Sequence, residues 1–573
     1  MEPHLDLRKP QAFPLGTSHP PGEKHAVSVS LPTWQSVVRY RRDEECNSID
    51  NIKQKVTAGY PRFYIHQVVQ NLSRRVIDRL RLDADEVKCV PFPTAANASR
   101  CLAGLKTPNS TIIPEIVRFS PRARNTMIVT DNWTTFYALL FPVTCFDKVM
   151  GYWRDTGSGI SSRQAEYLLE LFDNLESKSA NSDYCTSGRK DPVIDIEDSK
   201  WHKLPSGQAE KQAVKELITH LSTSESNNDG FAAVSPRPGD VFLFPNGMSA
   251  IYTLSRALAS CPGPHLVVCY GWLYGETRSA IERSAWERIT FYHRGSAEEL
   301  DGLEASLASG QRIQALFCEF PGNVLLASPD LYRIHALATT YNFIIVCDNS
   351  VSTAVNTDIL PFVDILVTSL TKMFSGGCNV TAGSVVLNPQ SPHYASIMSH
   401  LATMYEDTLF PLDAITLQKN STDVISRVQR ANNNALAVVK LIARHPSVAQ
   451  VNHPSTVPTA AFYKRHCRPR GGYGQVLSIV LRNPHSAEVF YDALDVCKGT
   501  SFGTNFTLCI PFAVIAHYHE LDWVEKHGIP KHILRLSVGL EDTEEILRVV
   551  SRALKAVEEF ERVHTPGGAH IRN

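Results

Sequence analysis

An α/β fold on a mainly parallel sheet is what the stretch from about 205 to 390 predicts. Three observations carry it. Short apolar runs recur at 240–244, 265–270, 315–320, 343–347 and 364–367. Helix-like stretches at 210–221, after the turn at 245–247, and at 330–340 lie between them. The runs are continuous rather than alternating, as expected of strands covered on both faces. In order, 210–221 gives a first helix and DVFLF a strand, and PNGMSAIYTLSRAL gives a turn followed by a helix. Two more strands follow, then the helix 330–340, the strand 343–347 and a last run ending at Val367. Short strands alternating with helices imply a parallel sheet covered on both faces.

After about residue 390 the rhythm loosens. Helical stretches at 422–444 and 543–561 flank strand signals at 475–481 and 533–538, which predicts a smaller α+β domain. The predicted organisation is an N-terminal extension over 1–205, a large domain over 206–390 and a small domain over 391–573. Within the extension, the first thirty residues are rich in Pro, Gly and His and read as lacking regular structure. Residues 60–175 mix helix and strand signals, with near-helical apolar spacing over 68–82. The polar passages 176–203 and 222–229 read as a linker and a turn. No internal repeat is evident.

With 573 residues, 43% of them hydrophobic, the chain is long enough for several cores. A formal net charge of −1 excludes a general polyanion binder, so no nucleic-acid partner is expected. The longest apolar passage, 135–146, is broken by Pro142 and reads as a buried strand or helix, not a membrane span. The start lacks the apolar run of a secretory signal. Thirteen cysteines without C-x-x-C pairs read as reduced thiols, and the expected location is cytoplasmic.

In open α/β sheets, ligands sit beyond the carboxyl ends of the strands. One such end reads VTSLTKMFSGG, with Lys372 flanked by Ser369 and Thr371 where an apolar strand stops. An ammonium is costly to bury unless paired or neutralised. Asp348 ends the preceding apolar run, one crossover away. Gly247 and Met248 open a helix, whose free amides and dipole suit a phosphate. An amine, a carboxylate, hydroxyls and a phosphate cradle together match the needs of pyridoxal 5′-phosphate. His517 and His519 sit in a helical-looking passage without further ligands, so no metal is expected. Cys347 and Cys378 read as packing residues, and Glu276 and Arg278 as either substrate contacts or surface charges.

These residues resemble the Cys/Met-metabolism family of pyridoxal-phosphate enzymes. The resemblance rests on Asp348, on Ser369-Leu370-Thr371-Lys372, on Gly247-Met248, on Tyr274-Gly275, on Glu319-Phe-Pro-Gly-Asn323, and on LRLSVGLED with Arg535. Within the family, the fungal type of cystathionine γ-synthase is most similar, through 25–34, 59–63 and GTSFGTNFTLCIPF at 499–512. The resemblance implies an aspartate-aminotransferase-like fold. It implies that Lys372 holds the cofactor and then moves protons at Cα and Cβ, and that Asp348 keeps the ring nitrogen protonated. It further implies that Tyr274 stacks on the ring and assists the leaving group, and that Gly247, Met248, Ser369 and Thr371 hold the phosphate. Arg535, Asn323 and Ser501 are implied substrate contacts. Tyr60 and Arg62 in GYPR resemble a motif that reaches the cofactor of a neighbouring subunit, which implies a homotetramer built from active dimers.

The implied reaction joins small amino-acid substrates: γ-replacement on an O-acylhomoserine, with cysteine giving cystathionine in methionine biosynthesis. Replacement by another nucleophile in secondary metabolism, direct sulfhydrylation and β- or γ-elimination stay open, and a non-catalytic role is disfavoured. Two departures bear on this. Ser350 stands where the family carries a threonine, which keeps the hydroxyl, and 377–383 departs from the family's pattern beside the site.

Overall fold

The computed structural model describes residues 5–42, 52–56, 58–105, 112–121, 132–179, 204–224 and 231–564. Three sheets organise it. The first is antiparallel, ordered β1-β3-β2-β4, from β1 (Val87–Phe92), β2 (Glu115–Pro121), β3 (Phe136–Pro142) and β4 (Leu175–Ser179). Helices α1 (Gln67–Leu80), α2 (Ala95–Ala103), α3 (Phe146–Thr156) and α4 (Ser162–Leu171) cover it. On one face Val69, Leu72 and Leu168 pack on Phe119 and Phe136; on the other Cys101, Val149 and Trp153 pack with Phe92 and Phe141.

The second sheet has seven strands: β5 (Val241–Phe244), β6 (Leu266–Tyr270), β7 (Arg288–Tyr292), β8 (Ala315–Glu319), β9 (Ile344–Asp348), β10 (Ile365–Ser369) and β11 (Gly383–Leu387), in the order β5-β11-β10-β9-β8-β6-β7. The run from β10 to β7 is parallel, and β11 enters antiparallel between β5 and β10. Alternate residues serve two cores: Leu243, Val268, Leu316 and Ile345 one side, Phe244, Val267, Phe317 and Val346 the other. This two-sided burial is why these strands read as unbroken apolar runs. Helices α5 (Gly247–Ser260) and α6 (Gly275–Glu282) follow β5 and β6. The third sheet holds β12 (Val448–Asn452), β13 (Val476–Leu481), β14 (Cys497–Lys498), β15 (Leu508–Pro511) and β16 (Leu534–Ser537), ordered β12-β13-β16-β15-β14. Around it run α8 (Val424–Ile442) and α9 (Thr543–His564), whereas α7 (Pro411–Ser421) packs into the core of the seven-stranded sheet through Ala414 and Leu417.

The fold is the expected α/β architecture with a large, mainly parallel sheet, a smaller α+β unit and an N-terminal extension. Several local expectations are corrected. The passage expected as a linker begins with strand β4, since its main chain pairs with β2 from Val117 to Pro121; the remainder, 180–203, lies outside the described residues. The turn expected at 222–229 begins with the last helical residue, Ser222, and 225–230 lie outside the described residues. The described part of the first thirty residues has no helix or strand beyond a Ser18–Val29 bridge, yet Ala26–Leu31 are buried. Val27 donates to the Cys378 carbonyl at 2.9 Å and Leu31 to that of Lys498 at 2.8 Å, so main chain from elsewhere satisfies them. Among the described residues, no helix is long and apolar enough to cross a membrane.

Candidate active site

Strand register gathers the candidate residues. Glu319 and Asp348 are neighbours across β8 and β9, and Asp348 is level with Val367 of β10. Ser369 ends β10 opposite Gly383, which is itself opposite Phe244 of β5. The turn after β5 therefore lands on Ser369: a Cβ on Gly247 would lie 3.1 Å from the Ser369 Cβ. Asn246 caps α5 by accepting from the Ser249 amide at 2.9 Å, leaving the amides of Gly247 and Met248 as open ends of the helix. Ser350 Oγ accepts from the Ser369 amide at 2.6 Å. Thr371 reaches the same cleft, but its hydroxyl is tied to the main chain of Ala382, donating at 3.3 Å and accepting at 3.1 Å.

Lys372 is buried at 5% exposure. Its Nζ donates to Ser501 Oγ at 3.1 Å and lies 4.1 Å from the Tyr60 ring and 4.6 Å from the Phe502 ring. Burial, aided by the Arg535 charge, brings the amine down to about 7, although Cys378 and Asp348 pull the other way. Burial raises the Asp348 carboxyl above its ordinary range, against the Ser350 hydrogen bonds and the Lys372 charge. Glu319 is pushed up to about 8, by burial first and by Asp348 second. Its carboxylate accepts from the amides of Tyr274 and Asn323, fixing both residues beside the sheet edge.

Arg535, on β16, is also buried. It donates to Asn323 Oδ1 at 3.3 Å and to the Ser501 carbonyl at 2.7 Å. Ser501 thus bridges Lys372 and Arg535, and it does so with φ of 82°, a conformation costly for a residue with a side chain.

Residues 236–555 match the family of Cys/Met metabolism PLP-dependent enzymes. The chain belongs to that family. Residues 68–161 also match the N-terminal domain of fungal trans-sulfuration enzymes. The chain is 40% identical over 555 residues to a cystathionine gamma-synthase-like protein, ankD, of Aspergillus thermomutatus, covering 96% of each. It is 34% identical to a cystathionine gamma-synthase of Neurospora crassa, covering 96% of this chain and 99% of that one. The crystal structure of cystathionine gamma synthase from Xanthomonas oryzae pv. oryzae, with aminoacrylate and cysteine, superposes with a TM-score of 0.51 at 22% identity. It covers 61% of this chain and 86% of that one, a likeness of fold.

Enzymes of this family use pyridoxal phosphate, and the residues present fit it. The donor set combines a buried amine held near neutrality, two open helix amides and the Ser369 hydroxyl, and Gly247 leaves room that a side chain would fill. Tyr60 and Arg62, implied by the resemblance to reach a neighbouring subunit's cofactor, line the cleft of their own chain. Arg62 Nε pairs with Glu276 Oε1 at 2.6 Å, Nη2 donates to the Ala516 carbonyl at 3.0 Å, and the guanidinium sits 5.1 Å from the Tyr274 ring. The segment after Arg62 runs on into α1 of a domain docked on the same chain's α5.

Glu276, left open between substrate contact and surface charge, is a buried partner of Arg62; Arg278 is the surface charge, paired with Glu282. Burial pushes both neighbouring thiols up, that of Cys378 to about 12, which disfavours a nucleophilic thiolate. Sequence reasoning missed the cleft wall from the N-terminal domain, including Trp153, Ser161 and Arg163. A domain-sized insertion directly after the GYPR motif is the one signal that could have drawn attention to it.

Proposed function

We propose that this enzyme catalyses γ-replacement on an O-acylhomoserine, with cysteine as the nucleophile and cystathionine as the product. The observation that carries the reading is Lys372, a buried amine near neutrality joined through Ser501 to the Arg535–Asn323 pair. Pyridoxal phosphate, held by Lys372, supplies an electron sink for charge developing on the substrate. Gly247, Met248, Ser369 and Arg62 would hold its phosphate, with Thr371 at the margin, while Asp348 would serve its ring nitrogen and Tyr274 its ring face.

Arg535 and Asn323 bind the substrate's α-carboxylate, the guanidinium offering a planar fork that matches it. The Lys372 amine, near neutrality, removes a proton at Cα and then one at Cβ, so that the γ-acyloxy group can leave, and returns protons to both carbons once the nucleophile has added at Cγ. Burial first and the Glu276 charge second hold the Tyr274 hydroxyl well above its ordinary value. It stays protonated and serves as the acid at the departing acyl oxygen. The Neurospora crassa relative, matched over nearly its whole length, supports cysteine as nucleophile.

A second reading, replacement by another nucleophile in secondary metabolism, is favoured by one observation. Asn379, Val380 and Thr381, where the sequence departs from the family, line the cleft itself. The test is incubation with O-acetyl- and O-succinylhomoserine, with and without cysteine, followed by chromatography of the products. Cystathionine that is absent with Lys372→Ala is the expected result. Keto acid alone, in the presence of cysteine, would sink the reading in favour of elimination. The reading includes a homotetramer, checked by light scattering, and a cytoplasmic location, supported by the absence of disulfides among the described cysteines.

A further inference from the structure

The C-terminal end of α3 docks on the first turn of α5. The Gly157 carbonyl accepts from Asn246 Nδ2 at 2.8 Å and from Ser249 Oγ at 2.7 Å. Gly157 has φ of 61°, and a Cβ there would lie 2.0 Å from Asn246 Oδ1, so the fit admits only glycine. One carbonyl of the N-terminal domain therefore fixes the cap of the helix that begins Gly247-Met248.

Trp153 stands in the last turn of α3 and lines the same cleft as Gly247 and Ser369. It is 8% exposed, and its Nε1–H finds no acceptor among the described residues. Gly159 makes room for that nitrogen, since a Cβ there would lie 1.8 Å from it. An indole N–H can only donate, and a buried donor left unpaired is costly. A group that brings an oxygen acceptor into the cleft would remove that cost, most effectively if the oxygen is anionic.

We propose that the N-terminal domain completes the phosphate site of the cofactor, with the Trp153 Nε1–H donating to a phosphate oxygen and the Gly157 carbonyl holding the turn that supplies the amides. This rests on the reading that the Gly247-Met248 turn cradles that phosphate. It gives the fungal-type domain a place in the cofactor site rather than beside it.

The experiment titrates apo-protein with pyridoxal phosphate and with pyridoxal, which lacks the phosphate, for wild type, Trp153→Phe and Ser369→Ala. The expected result is a loss of about ten-fold or more in pyridoxal phosphate affinity for Trp153→Phe, with pyridoxal affinity unchanged. Equal loss for both ligands would mean a structural role and overturn the proposal. No loss for Trp153→Phe alongside a phosphate-specific loss for Ser369→Ala would overturn it and leave the cradle standing. If only Trp153→Phe discriminates, the proposal stands and the assignment of Ser369 fails; if neither does, both fall. Unchanged cofactor affinity with a raised KM for the acylhomoserine would assign the N–H to the substrate's anionic group and also overturn it.

Discussion

Lys372 meets a hydroxyl and two ring faces at its tip, so what sets its protonation is chiefly burial. Only the unprotonated amine attacks an aldehyde. Capture of pyridoxal phosphate by apo-protein should therefore accelerate as pH rises through about 7 and then level off. Stopped-flow absorbance across pH checks this; a rate still climbing above pH ~9 would be that of an ordinary exposed lysine. The same depressed value has a stability consequence. Between about 7 and the ordinary lysine value of 10.5, the unfolded chain binds the proton and the folded chain does not. Apo-protein stability gains from this group as pH rises through that window, and Lys372→Met should remove that part of the slope in urea titrations. At Arg535, replacement by Lys keeps the charge but loses the fork. The expected result is a KM for the amino-acid substrate raised by about ten-fold, with cofactor affinity unchanged. Lys372, Asp348, Tyr274 and Arg535 were legible because each sits at a strand end or in a short motif. Glu276 and Trp153 were not, because their meaning depends on burial supplied by distant segments.

Helix α4 reaches across to α7, where Arg163 Nη1 pairs with Asp413 Oδ1 at 3.1 Å and donates to the Asn379 carbonyl at 2.7 Å. Both side chains are nearly inaccessible, at 11% and 5% exposure. Arg163→Met leaves Asp413 buried without its partner, a loss of about 3–5 kcal/mol, whereas Arg163→Met with Asp413→Leu should regain most of it. Chemical denaturation of the three proteins checks this; equal losses in the single and double variants would show that the pair is not what holds these helices. The central strands were readable because both faces are buried. Edge strand β7 is only partly buried, and β4, LESKS, has almost no apolar residue, so hydrophobic pattern could not reveal them. Strand β11 follows the polar loop of Asn379 and Thr381 and enters the sheet antiparallel, an insertion that a rhythm of alternating strands and helices conceals.

Across the whole molecule, the cleft is walled by all three sheet-bearing units, and Tyr60 and Arg62 line the cleft of their own chain. Co-expressing Lys372→Ala with Arg62→Ala should therefore restore no activity. If sites were completed between subunits, random pairing would restore roughly a quarter of them, so a steady-state assay of the mixed protein decides. The sequence carried the presence of the motif and of the extra domain. It could not say which copy's cleft they enter, because that depends on connections through segments without pattern. The buried N-terminal segment has one more consequence. Ser28 donates to the carbonyl of Thr500, 472 positions further along. During translation at 5–20 residues per second, that segment waits about half a minute to a minute and a half for its partner to be made. Residues that leave the ribosome first are among the last to find their place, and a message truncated near its 3′ end would yield a protein whose beginning has nowhere to go.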